Sequence, residues 1–312
     1  MKLRLVLATA IATASAGSVV AETTVEQLAA EGVQKLAFGS DFVGDLKNSV
    51  GAKVDSYVEQ GISNWLGNTE VSIQGITDGK PTIGILTVQP LYESQDLLDT
   101  VFTQASLFNY DGRQTVNIGL GYRKMSPDER WLYGINAFYD HEFPYDHQRS
   151  SIGLEARSSV IEFNANKYFG LSDWKSGANS LDEKALGGYD IEAGLTLPYM
   201  PGGKIYYKQF QWDAENGATD LKGNTTSLKV SGDLLVPGLT FEVGVIDYDG
   251  NRDNKEFVQL TYKYTPGGNK VRPIFSNDIY QFTSMKERRL DKVRRENKIV
   301  VQKQGRGTIS FR

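Results

Sequence analysis

His141 and His147 are the only histidines in the 312-residue chain, and they share one polar stretch with Asp140, Glu142 and Asp146. Imidazoles beside carboxylates are the material of a divalent-metal site. His141 with Ser150-Ser151 is also the material of a serine hydrolase. The surrounding sequence supports neither. No Gly-x-Ser-x-Gly segment is present to hold a nucleophile, and charges in a polar loop are ordinarily hydrated. Asp247, Asp249, Asn251 and Asp253 superficially match a calcium loop. They lack the later glutamate, and Asp249-Gly250 is already explained as a hairpin turn. With no cysteine, thiolate metal sites, disulfides and cysteine nucleophiles are excluded. No catalytic, cofactor or metal residues are assigned, and an enzyme is not expected.

The remaining chemistry is electrostatic. From Lys286 to Arg312 the chain has ten basic residues against three acidic ones. Such a run is either a solvated tail or a segment threaded through a pore lined with acids. Glu155, Asp190, Glu192 and Glu242 are candidate lining residues, because a charge buried in a narrow pore requires a partner. Nucleic acid is not expected as a partner, since stacking aromatics are scarce in the run.

The elements that would position these groups are strands. Between Trp131 and Trp174 the residues alternate. Trp131, Tyr133, Ile135, Ala137 and Tyr139 share one face, with Gly134, Asn136 and Asp140 on the other. Ile152, Leu154 and Ala156 then oppose Gly153, Glu155 and Arg157. After Ser158-Ser159, Ile161, Phe163 and Ala165 oppose Glu162, Asn164 and Asn166. A period of two joined by tight turns is an antiparallel meander. Its apolar face meets either a protein core or lipid. Aromatics at the strand ends (Trp131, Tyr139, Phe163, Tyr168, Phe169) suit an interfacial girdle, and a polar face rich in Gly suits a crowded lumen, so the membrane setting is favoured.

From Thr69 onward twelve strands are expected, at about 69–77, 82–89, 100–109, 114–123, 130–140, 149–157, 160–169, 188–198, 203–211, 225–234, 238–248 and 255–265. Strand nine is the weakest, because Tyr206, Tyr207 and Phe210 occupy both faces. If the first strand runs outward, the long connections 170–187 and 212–224 fall on the outer side, as in bacterial barrels. The long inner connection Pro90–Asp99 is the exception. A mean hydropathy of −0.37 and a net charge of −4 exclude a helical membrane bundle but suit a barrel whose strands are half polar.

Lys2 and Arg4, the apolar stretch Leu5–Ala14 and the small-residue site Val19-Val20-Ala21 predict a secretory signal over 1–21. Residues 22–68 change period. Val25, Leu28, Val33 and Leu36, then Val43, Leu46, Val50, Val54, Tyr57 and Ile62, recur at helical spacing, which predicts a periplasmic helical segment. The expected domains are thus 1–21 signal peptide, 22–68 helical segment, 69–265 barrel and 266–312 linker.

In order along the chain, the segments SNWLGNTEV, WLYGINAFYD, GLEARSS, NKYFGLSDWKSG, YDIEAGLTLPYMPGGKIYYKQF and RRLDKVRRENKIVVQ resemble the β-domain of the intimin/invasin family, the inverse autotransporters. The resemblance covers nearly all of the chain after the signal. It implies an all-β fold, a 12-stranded antiparallel transmembrane β-barrel in the outer membrane of a Gram-negative cell. A periplasmic helical segment would precede the barrel and a linker would follow it, through or beneath the lumen. Arg294, Arg295, Asn297, Ile299 and Val300 match the family's basic-Asn-apolar pattern, so the linker is expected to thread the pore. The resemblance further implies outer-membrane lipid, the barrel-assembly machinery, periplasmic chaperones and a host or cell-surface ligand as partners, and a role in exporting a C-terminal segment linked to adhesion. No passenger module is recognisable in Gln304 to Arg312, so the expected alternative is a standalone outer-membrane pore for small solutes.

Overall fold

The computed structural model describes residues 67–75, 81–232, 237–250, 252–265, 273–305 and 308–311. The expected signal peptide and all but the end of the expected helical segment lie outside these residues. The described chain forms β1 (Thr69–Gln74), β2 (Thr82–Glu93), β3 (Asp99–Tyr110), β4 (Arg113–Met125), β5 (Leu132–Phe143), β6 (His147–Arg157) and β7 (Ile161–Gly170). It continues with β8 (Lys175–Ser176), β9 (Asp182–Ala185), β10 (Gly188–Leu197), β11 (Met200–Trp212), β12 (Leu221–Ser231), β13 (Leu239–Tyr248), β14 (Lys255–Tyr264), β15 (Val301–Gly305) and β16 (Thr308–Phe311). Strands β1–β7 and β10–β14 close one antiparallel barrel, in which β14 pairs with β1 through Val71 and Tyr262. Strands β8, β9, β15 and β16 form a separate four-stranded sheet.

The side chains settle which face is which. On β4, Asn117, Gly119, Gly121 and Arg123 point inward, while Ile118, Leu120 and Tyr122 point outward and are exposed. On β5 and β6 the inward Asp140 and Arg149 are 0% exposed, whereas the outward Ile135 and Leu154 are 55% and 61% exposed. Charge inside and hydrocarbon outside is the reverse of a soluble core. Closure pairs the barrel's wall strands along their length, so the apolar exterior carries no open strand edge into lipid.

Exposed aromatics collect at both ends of the wall. Tyr92, Tyr122, Tyr133 and Tyr199 mark the inner end, where β1 begins. Tyr139, Phe143, Phe169 and Tyr189 mark the outer end. Tyr168 is a correction to the expected girdle. It points inward, is fully buried and donates to Asp190 Oδ2 at 2.7 Å. An aromatic with a polar tip fits a polar lumen as well as it fits an interface. The ambiguous strand also resolves, since Tyr206 and Phe210 of β11 face in and Tyr207 faces out.

The connections are shorter than the sequence suggested. Because β2 extends to Glu93 and β3 starts at Asp99, the long inner connection shrinks to Ser94–Leu98. Ser94 Oγ and Leu98 N both donate to Asp96 Oδ1, at 2.6 and 3.1 Å. The next inner turn repeats this device, with Ser126 Oγ and Arg130 N donating to Asp128 Oδ1. A side-chain oxygen replaces the strand partner, so the turn stays tight. These bonds hold the Asp96 and Asp128 carboxyls below their usual range. At the outer end the expected loop 170–187 instead contains β8 and β9. Its alternation is too short to be seen in the sequence.

Candidate functional site

The lumen holds residues 285–300, which open with a short 3-10 turn at Lys286–Arg288 and then pass, without helix or strand, from the inner mouth to the outer one. Met285 N donates to Glu129 O at 2.8 Å, and the Met285 side chain closes the inner mouth against Met125 and Leu132. Further in, Val293 packs on Leu86, Val88, Phe102 and Phe138 while its N–H donates to Gln104 Oε1 at 2.8 Å. At the far end Leu186 N donates to Val300 O, and β15 then pairs with β9 from Val301↔Ala185 to Gln304↔Asp182.

A chain with neither a long helix nor a sheet of its own must find partners for its peptide groups. Here the wall supplies them. Arg123 Nη1 donates to Arg289 O and Asp291 O, each at 2.7 Å. Arg157 donates to Lys292 O, Asn166 to Arg294 O, Arg149 to Glu296 O and Asn117 to Asn297 O. Tyr168 Oη in turn accepts from Glu296 N at 2.7 Å.

Charge runs the other way, from linker cations to wall carboxylates. Arg288 meets Glu162 at 2.5 Å and Arg289 meets Glu93. Lys292 meets Glu70 at 2.7 Å. Arg294 donates to Glu192 at 2.5 and 2.8 Å and reaches Glu242 at 3.4 Å. Arg295 donates to both oxygens of Asp140. Wall arginines thus hold the linker backbone, and linker arginines neutralise the wall acids. Cavities of about 160 and 270 Å³ remain beside the linker, bordered mainly by β1, β2 and β10–β14.

Of the four acids expected to pair with the linker, Glu192 and Glu242 do so. Glu155 instead binds the wall residues Arg123 and Arg157, and Asp190 accepts from Asn166 and Tyr168. Partners on the wall itself were nearer than the linker. Asp140, Glu162, Glu93 and Glu70 were missed, although alternation had already put Asp140 and Glu162 on the polar face. A full roll of inward acids would have found those two.

The outer mouth is clamped by Glu183 of β9. Arg113 donates to both of its oxygens at 2.7 Å, His147 Nε2 lies 3.2 Å away and Lys303 of β15 lies 3.3 Å away. Burial alone would raise this carboxyl, but the hydrogen bonds from His147 and Arg113 outweigh it and hold Glu183 well below its ordinary 4.5.

The two histidines do not form a site together. His147 points into the barrel and is fully buried, while His141 points outward and stacks on Phe143 with ring centroids 4.3 Å apart. The ring nitrogens of His141 face Asp146 at 3.0 Å and Tyr139 Oη at 3.4 Å, with neither Ser150 nor Ser151 as a partner. The period of two puts residues six apart on the same face only within one strand, and here a turn at 144–146 intervenes. The Asp247–Asp253 stretch is split between β13 and the turn carrying Gly250 at φ +85°.

A barrel whose lumen is filled by the chain beyond its last strand is a specific arrangement. The family model described as "Inverse autotransporter, beta-domain" matches residues 20–297. The chain belongs to this family. It is 30% identical to the inverse autotransporter adhesin YeeJ of Escherichia coli K12 over 224 residues, which are 69% of this chain and 9% of YeeJ. It is 28% identical to the invasin of Yersinia enterocolitica over 284 residues, 86% of this chain and 33% of that protein. The chain therefore spans a minor part of these relatives. A solved barrel from a study of in-meso crystallization of membrane proteins overlays with a TM-score of 0.64 at 23% identity, covering 76% of this chain and 99% of that one. The inverse autotransporter β-domain is an outer-membrane barrel, and its apolar exterior contacts outer-membrane lipid.

Proposed function

We propose that this inverse autotransporter barrel anchors and exports a C-terminal segment, holding the exported chain in its lumen and presenting the distal end of that chain at the cell surface for adhesion. The observation that carries it is the single pass of residues 285–300 from the inner mouth to the outer sheet, with backbone and charge matched to the wall along its length. Pairing at every depth makes the threaded state a resting state, which suits a permanent anchor. The surface partner is a host or cell-surface ligand. Barrel-assembly machinery and periplasmic chaperones would deliver the chain, and no enzymatic step is assigned to it.

The test places an epitope after Arg312 and probes intact cells with an antibody that cannot cross the outer membrane. The epitope is expected on intact cells, and labelling only after permeabilisation overturns export. The cavities beside the linker favour one alternative, a pore for small solutes. Planar-bilayer conductance decides between them. Deleting residues 286–312 is expected to raise it several-fold, and equal conductance would favour the pore.

A further inference from the structure

Before it enters the lumen, the chain from Pro273 to Ser284 follows the inner rim. This segment, PIFSNDIYQFTS, has one charged residue, Asp278. Gly202 N donates to Ile274 O, Ser276 N donates to Tyr199 O, and Tyr199 N donates to Ile279 O, all between 2.9 and 3.3 Å. Ser159 Oγ donates to Gln281 O at 2.8 Å and accepts from Thr283 N at 3.0 Å. Met285 then reaches Glu129. These anchor points are the β10–β11, β6–β7 and β4–β5 turns, taken in order around the barrel. At the usual spacing between paired strands the path covers roughly 25 Å of the rim.

The segment buries little of its own hydrocarbon. Ile274 is tucked against Gly202 at 3% exposure, but Phe275, Ile279 and Phe282 are 64%, 54% and 53% exposed, and Tyr280 is also exposed. An apolar patch of this kind marks an interaction surface. It is continuous with one already described, since the exposed Tyr199 that binds the segment through both its N–H and its C=O belongs to the inner aromatic girdle. Aromatic side chains are favoured at the boundary between headgroups and acyl chains.

We propose that Phe275, Ile279, Tyr280 and Phe282 form an interfacial anchor that seats the start of the linker in the inner leaflet. The partner is the phospholipid bilayer itself. With a single acid and no base in the segment, hydrocarbon contact supplies the attraction and a zwitterionic surface suffices. Tension on the exported chain then reaches the membrane as well as the lumen pairs. This inference rests on the membrane-barrel assignment.

Because the chain lacks cysteine, single cysteines can report position. The full chain is refolded into phosphatidylcholine vesicles with an environment-sensitive dye on Ile279→Cys or Phe282→Cys. Leu154→Cys serves as the lipid-facing reference and Pro127→Cys as the aqueous one. Dyes at 279 and 282 are expected to be quenched several-fold more than the dye at 127 by phosphatidylcholine spin-labelled near its headgroup, and to resist iodide. Iodide quenching without lipid quenching overturns the anchor. Shielding from both quenchers also overturns it and gives the surface a protein occupant, which deletion of residues 22–66 would identify by restoring iodide access. If the dye at 154 escapes quenching by phosphatidylcholine spin-labelled along its acyl chain, the barrel assignment itself fails, and the anchor with it.

Discussion

Arg295 of the linker and Asp140 of β5 meet inside the lumen, with guanidinium nitrogens 2.9 and 2.7 Å from the two carboxylate oxygens and neither side chain exposed. Asp140 also binds Arg149 at 2.9 Å and Asn117 at 2.7 Å. One wall carboxylate therefore serves two guanidinium groups, one from the wall and one from the linker.

That sharing predicts an order of damage. Asp140→Ala leaves Arg149 and Arg295 facing each other without a counter-charge, and should cost about 3–5 kcal/mol. Arg295→Ala leaves Asp140 still paired with Arg149, and should cost less, about 1–3 kcal/mol. Urea unfolding in lipid vesicles measures both. An equal or larger loss for Arg295→Ala would show that Asp140 is committed to the linker alone.

Close packing inside the wall makes a second prediction. A side chain on the inward Gly121 would run into the Phe102 ring, over which the Arg123 guanidinium sits at 4.3 Å. Gly121→Val should destabilise the barrel by about 1–3 kcal/mol through overpacking. Phe102→Leu should recover part of that loss in the double variant, since it empties the space the valine needs. Additive losses in the same unfolding measurement would place the clash elsewhere.

Acid sensitivity at the outer mouth is the third. Glu183 titrates below its ordinary 4.5 in the folded chain. Its contribution is therefore complete above that value and is lost as pH falls through the depressed one. Thermal midpoints of wild type and Glu183→Gln should differ by a constant amount at neutral pH and converge only in acid well below the ordinary carboxyl range. A gap that closes already within the ordinary carboxyl range would show that Arg113 and His147 do not hold the Glu183 carboxyl down.

The strands were legible because a wall with one greasy and one wet side needs a period of two, and nearly every wall strand keeps it. Ile152, Leu154 and Ala156 against Gly153, Glu155 and Arg157 is enough to assign both faces. The small outer sheet was not legible. β8 and β9 are two and four residues long, too short for alternation to register, and β9 exists because β15 arrives from the far end of the chain to pair with it. Twelve wall strands, the polarity of each face and the basic excess of the linker could be read from neighbouring residues alone, whereas closure into a membrane barrel was expected from the aromatic strand ends and the family resemblance. Only the tertiary structure decided which acid takes which arginine, because Glu155 and Glu192 look alike along the chain and differ only in what closure brings within reach. It also placed His141 and His147 on opposite faces of the wall, a separation set by where one strand stops and the next begins.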